Sequence, residues 1–583
     1  MSRTAQNRRA LASAISWAAA LVVAIGVSAS TKSDVVPEPV PPSAGTADPV
    51  RLSFADPEVR LGDRLFFETR FAQFFHERSG GDVNAPLPGG DPVVNEVEST
   101  RGSPLPGPFR GRSMNCRHCH LGSDFLPDIP LAGRTYGDFS RFSEIPARND
   151  GHTQTPRNSP LMVGLSLPRE VPMLLHYDGE FASFEDLVVD TMTGRNFGWL
   201  PDEVPTATAH IAKVIREDEG VNPRYITYFS GKSEGHGVPY RVILAGTDPD
   251  LPADLRIPHE YRIDVEKASD EEILWAVAKL MRAYSDSLRF GTKNTFREQG
   301  SPYDAFLVKN GLPTRPASGE TEIEYARRLR GLLDERDAWD WVSPRDGELL
   351  LHRQRFVFGP TELTGLKVFL AEGRPTKQDH AGNCILCHTP PQFTDHRLHN
   401  NGASQSDYDA VFGEGSFAAL DLPDLDERLA QADSYLPTTP KHPKATGRFK
   451  AAPTAGKPGY ADLGVWNVYA NPDMPKPQAA LTQILCGPAG PAEGDCRPEA
   501  VLPLTVAYFK TPSIRDLGQS WPYLHSGRLD TVEEVLEFYR TSSDLARAGK
   551  LRNGSREMPN VRLAPEDVMP LAAFLRSLNE DYH

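Results

Sequence analysis

Two pentapeptides constrain this chain more than anything else in it. Cys116-Arg117-His118-Cys119-His120 and Cys384-Ile385-Leu386-Cys387-His388 both read C-x-x-C-H. In that pattern two thiols join the vinyl groups of a haem, and the following histidine ligates the iron from the proximal side. A single copy could equally be a redox dithiol. Two copies use four of the six cysteines. Neither a zinc site nor a dithiol enzyme requires a histidine directly after each pair. The pattern predicts two covalently attached haem c groups. Cys116, Cys119, Cys384 and Cys387 would carry the thioethers, and His120 and His388 would be the proximal ligands.

At 583 residues the chain has length for two or more domains with full cores. Its 52 prolines and 47 glycines suggest long ordered loops between helices. The net charge of −15 argues against a nucleic-acid partner. Arg3, Arg8 and Arg9, the apolar run from Leu11 to Val27 and the small residues Val27-Ser28-Ala29 read as an export signal over 1–29. An uncleaved membrane anchor is the alternative, because the apolar run approaches a spanning length. Both place the body in an extracytoplasmic compartment, the periplasm. There, Cys486 and Cys496 are expected to form a local disulfide around Gly487-Pro488-Ala489-Gly490-Pro491.

Residues 30–49 read as a disordered linker rich in Pro, Ser and Thr. Folded sequence is expected from Val50. Helical apolar spacing precedes each motif, at Val59–Phe67 and at Leu363–Leu370. Closing helices are expected at Glu271–Leu288 and Ala564–Leu578. The plan is mainly α: two cytochrome c-like haem domains in tandem, at 50–350 and 351–583, with long loops and insertions. The insertions are expected at 203–265, 309–350 and 403–500. The first contains a run with β character, Tyr240-Arg241-Val242-Ile243-Leu244.

Several segments then resemble the bacterial dihaem cytochrome c peroxidase and MauG family. They are Pro156-Arg157-Asn158-Ser159-Pro160, Tyr177-Asp178-Gly179, and Cys387-His388-Thr389-Pro390-Pro391-Gln392-Phe393-Thr394-Asp395. Phe509-Lys510-Thr511-Pro512-Ser513-Ile514-Arg515-Asp516, Pro522-Tyr523-Leu524-His525-Ser526-Gly527 and the closing Leu563-Ala564-Pro565-Glu566-Asp567-Val568 complete the set. The resemblance covers both haem units but not the insertions. It implies that the first haem meets hydrogen peroxide or oxygen and that the second receives or stores oxidising equivalents. It also implies a calcium ion between the units, held by Asn158 with the carbonyls of Ser520 and Pro522.

The resemblance also assigns roles, with departures. His152 lies near the place of a histidine that ligates the first iron or acts as distal acid/base. Tyr177 stands where a tryptophan relays electrons between haems. Tyr539 falls at the sixth position of the second haem, where peroxidases carry methionine and MauG-type enzymes tyrosine; Met558 is the alternative. A phenolate should lower the potential of that haem. The usual glutamine and glutamate of the peroxide pocket align with Leu187 and Phe197, although Glu185, Asp186 and Asp190 lie near in sequence. Arg195 is the candidate cation to polarise a peroxide oxygen.

The expected activity is reduction of hydrogen peroxide by electrons from a small donor protein, a cytochrome c or a cupredoxin. The alternatives are a MauG-like or oxygenase-like enzyme that oxidises a protein or organic substrate through a high-valent haem, and a non-enzymatic electron carrier. A membrane is a partner only if the N-terminal segment stays uncleaved, and the resemblance leaves room for a homodimer.

Overall fold

The structure, a computed structural model, describes residues 56–85, 114–116, 119–120, 145–220, 237–290, 300–349, 352, 354–373, 380–492 and 494–580. The expected export signal and linker lie outside these residues. The described chain is mainly helical, with one short antiparallel ribbon in which Leu398–His399 pairs with Phe509–Lys510. Among the described residues no helix is long and apolar enough to cross a membrane.

The helices expected before and after the first motif form and pack on each other. Pro57–Phe66 starts with proline in its first turn, where the missing N–H costs nothing. Asp270–Ser287 starts with a reciprocal cap: the Ser269 hydroxyl accepts from the Glu272 amide, and the Glu272 carboxylate accepts from the Ser269 amide. Each buries an apolar stripe, Val59, Leu61 and Leu65 on one and Ile273, Val277, Leu280 and Tyr284 on the other. Gly62 lets the backbones touch, since a Cβ there would lie 2.1 Å from the Leu280 carbonyl oxygen. The same device recurs at the second motif. Pro360–Leu370 crosses Val568–Arg576, and a Cβ on Gly365 would lie 2.0 Å from the Pro570 carbonyl oxygen.

Three hydrophobic cores result. The first gathers side chains from Val59 to Phe290. The second joins Tyr303–Phe393 to Val532–Leu578. The third belongs largely to 398–509 and includes Leu174 from the first part of the chain. This corrects the division expected at 350. Tyr303, Phe306, Tyr325 and Leu329 lie in one core with Phe369 and Phe574, so 303–349 packs with the second motif.

The run Tyr240–Leu244 is also corrected, because it is the helix Tyr240–Ala245. Its buried residues Tyr240, Ile243 and Leu244 follow helical i, i+3, i+4 spacing, and Gly246 ends it in the left-handed region. The segment is built into the first core. The Tyr240 hydroxyl donates to Glu68 at 2.8 Å, and Asp218 receives both Arg64 and Arg70. Cys486 and Cys496 form the expected disulfide, with Cα atoms 5.7 Å apart.

Candidate haem cavities

The cysteines and the histidine of each C-x-x-C-H motif line a large cavity. At the second motif the amides of Cys387 and His388 both donate to the Cys384 carbonyl, at 3.2 and 2.8 Å. His388 Nδ1 sits 3.1 Å from the Phe393 carbonyl. Donation there leaves Nε2 as the free ligand atom. At the first motif the amides of Cys119 and His120 turn back to the Cys116 carbonyl, both at 3.2 Å. Asn115 Nδ2 ties this turn to the Phe67 carbonyl at 3.1 Å. His120 Nδ1 has no hydrogen-bond partner among the described residues. Burial draws its imidazole down to about 4, so it stays neutral, the form that ligates a metal.

The cavities enclose about 1620 Å3 at the second motif and about 1960 Å3 at the first, open mouths included. Both are walled mostly by apolar surface and carry the two cysteines and the histidine of their motif, which is the donor set a haem c needs. Leu161, Tyr177 and Lys510 line both. Tyr177, the candidate relay residue, is thus shared by the walls of both cavities.

In the second cavity Tyr539 and Met558, the two candidate sixth ligands, both line the wall. The Tyr539 hydroxyl accepts from Asn401 Nδ2 at 3.2 Å, while burial pushes it up to about 12. Met558 is buried without a polar tether.

The first cavity holds charged groups that the motifs do not mark. Leu187 and Phe197, which the resemblance aligned with the usual glutamine and glutamate, line it as apolar residues. Glu185 pairs with Arg282 and Asp186 with Lys476, whereas Asp190 lines the cavity. Asp190 keeps access to solvent, yet surrounding protein and the nearby Glu180 charge push its carboxyl up to about 6. Glu180 also lines the cavity. Its carboxylate meets Lys450 Nζ at 2.8 Å and His176 Nδ1 at 3.0 Å, and is held far below the carboxylate range. Lys450 comes from the segment expected as an insertion at 403–500, and no local pattern ties it to Glu180. Glu180 itself follows Asp178-Gly179 directly, so that motif could have pointed to it.

Arg157, which also lines this cavity, joins two buried carboxylates. It reaches Asp178 at 2.5 Å and Asp462 through Nε and Nη2 at 2.6 and 2.8 Å. His176, Asp178 and Glu180 are close enough together to suggest a metal site. Both carboxylates, however, already face Lys450 or Arg157.

His152 is exposed and lines neither cavity. Its carbonyl accepts from Arg195 Nη2 at 3.0 Å. Arg195 lines the first cavity, but its Nε pairs with Asp150 at 2.6 Å, and only Nη1 has no partner among the described residues. Arg195 therefore braces the loop around residue 150. Asn158 fits a hard cation. Its amide Nδ2 approaches the carbonyls of Pro522 and Leu524, and its buried Oδ1 has no partner among the described residues. Turning the amide over would place three oxygens around one point. Ser520 lines the second cavity.

No family model matches the chain. A solved structure of the dihaem peroxidase BthA from Burkholderia thailandensis aligns with 90% of this chain and 86% of its own, at 17% identity and a TM-score of 0.40. Among curated proteins, the methylamine utilization protein MauG of Methylorubrum extorquens is 35% identical over 88 residues, 15% of this chain and 23% of that protein. The cytochrome-c peroxidase IdrP2 of Denitromonas iodatirespirans is 24% identical over 204 residues, 34% of this chain and 36% of that protein. The chain thus matches well under half the length of either curated relative. With these relatives in sequence and two C-x-x-C-H motifs each lining its own cavity, the chain is similar to members of the dihaem cytochrome c peroxidase/MauG family.

Proposed function

We propose that this chain is a periplasmic dihaem c-type oxidoreductase that reduces hydrogen peroxide with electrons from a small redox protein. The observation that carries this reading is the pair of cavities that share Tyr177, each lined by the cysteines and histidine of one C-x-x-C-H motif, with the Asp190 carboxyl in the first. Bound haem would supply a redox-active iron in each cavity. The haem units are two helical bodies in tandem, the first ending near residue 290 and the second built from 303–393 and 532–578.

Reduction of one peroxide consumes two electrons and two protons and yields two waters. Asp190 is the chain's proton carrier for this step, because its carboxyl is neutral below about pH 6 and can protonate the departing oxygen. Glu180 does not take that role, since Lys450 and His176 hold it ionised. Tyr177 relays electrons between the cavities. Asn158 and the carbonyls of Pro522 and Leu524 would hold Ca2+ where the two parts of the chain meet.

Tyr539 favours a second reading, a MauG-like enzyme that oxidises a protein or organic substrate. A tyrosine ligand stabilises oxidised iron more than a thioether does. Optical and EPR spectra of the holoprotein, fully oxidised and half-reduced, before and after hydrogen peroxide, separate the two. Reaction only after half-reduction, with turnover of an added donor, supports the peroxidase. Reaction of the fully oxidised protein with both haem spectra changing together supports the second. No response in either state removes both.

A further inference from the structure

Lys510 lines both cavities. The residue lies in the short ribbon opposite Leu398, and its amide donates to the Tyr177 carbonyl at 2.6 Å. Among the described residues its ammonium has no hydrogen bond and no carboxylate partner. The charged group that acts on it most is Arg169, another cation. Arg169 in turn donates only to the Leu165 and Leu167 carbonyls among the described residues. His396 lies within reach of both charges and is bound to Gln392 at 2.9 Å. Other enclosed basic groups near these cavities are paired: Lys450 with Glu180, and Arg157 with Asp178 and Asp462.

An enclosed charge without a counter-charge is costly, and a protein retains it where a ligand completes the pair. We propose that Lys510, backed by Arg169, is the counter-cation for a haem propionate at the wall shared by the two cavities. This rests on the reading of the cavities as haem sites. The site's chemistry is that of a carboxylate receptor: an ammonium as point donor at the cavity surface, with a guanidinium behind it adding field. An ammonium beside a haem favours the reduced, less positive iron, and the paired propionate balances that effect. Removing Lys510 leaves the carboxylate's negative charge uncompensated next to the iron. The affected haem then becomes harder to reduce.

The measurement is a spectroelectrochemical titration of both haems in the holoprotein, with haem content per chain determined alongside. The variants are Lys510→Met, Lys510→Gln and Lys510→Arg. Met and Gln should each lower at least one midpoint, by about tenfold in the reduction equilibrium, which is 59 mV for one electron. Arg should hold both midpoints near the wild-type values. If Lys510→Met fails to fold, Lys510→Gln carries the comparison. Unchanged midpoints in the uncharged variants, with two haems retained, overturn the proposal. So does an Arg variant that shifts as far as they do, because the role is then one of shape. A wild-type chain that carries no haem overturns the haem reading itself, and the distinction is visible in the haem content.

Discussion

Arg157 is the residue whose removal should be felt most widely. It is 7% exposed and serves two carboxylates, Asp178 at 0% and Asp462 at 6%. Replacing it with methionine keeps much of the volume and removes the charge. Asp178 would retain Lys450 at 3.5 Å. Asp462 would retain the Gly464 amide at 2.9 Å and His525 at 3.7 Å, and burial keeps that imidazole largely neutral. One carboxylate is thus rescued and the other is not. Leaving one buried charge unpaired costs about 3–5 kcal/mol, so the loss for Arg157→Met should fall in that range and not at twice it. The pH dependence has a definite sign. In the wild type Asp462 sits below its ordinary value, overcoming burial through Arg157, so its contribution is present at neutral pH and fades as the pH falls through that lowered value. In the variant burial outweighs the remaining Gly464 amide and His525, the carboxyl rises, and its cost fades as it takes up a proton. The gap between the two proteins should therefore be widest near pH 7 and narrow toward pH 4. Denaturant unfolding of both holoproteins at several pH values reads this directly. A loss under about 1 kcal/mol at pH 7 would refute the reasoning, as would a gap that does not change with pH. Adding Asp462→Asn to the variant should recover part of the loss.

Three further outcomes are expected. Asp190→Asn should lower peroxide turnover by about 10²–10⁴-fold and remove the limb in which the wild-type rate falls as pH rises through about 6; an unchanged pH profile would show that another group carries the proton. Tyr539→Phe should change the optical and EPR spectrum of the second haem while Met558→Leu leaves it alone, and the opposite pattern assigns Met558 as the ligand. Saturating Ca2+ at about 100 times its dissociation constant should stabilise the wild type by about 2.7 kcal/mol over the chelated protein, and Asn158→Ala should lose that increment in a thermal melt.

What could be read from the sequence was what is local in it. The two C-x-x-C-H motifs and the helices flanking them follow from spacing over a few residues. Tyr177, Asn158 and Tyr539 were reached through the family resemblance, each from a short motif beside it. The helix Tyr240–Ala245 was misread because the five-residue run Tyr240–Leu244 is too short for its period to show. The place of 303–349 in the second core depends on contacts of Tyr303 and Phe306 with Phe358, Phe393 and Phe574, which no local pattern encodes. The same holds for the first cavity. Glu180 meets its lysine 270 positions away, and Asp190, which also lines that cavity, lies on a helix face that no motif marks.

The third core bears on how the protein matures. Leu174 is buried among residues of 398–509, and Lys450 and Lys510 wall the cavity that begins at Cys116. A chain made from its N-terminus presents the first attachment cysteines long before those lysines exist. The first pocket has no finished wall until the later segment is in place, so a haem bound there would be closed in by residues such as Lys450 and Lys510. The last third of the chain seals a site laid down by the first.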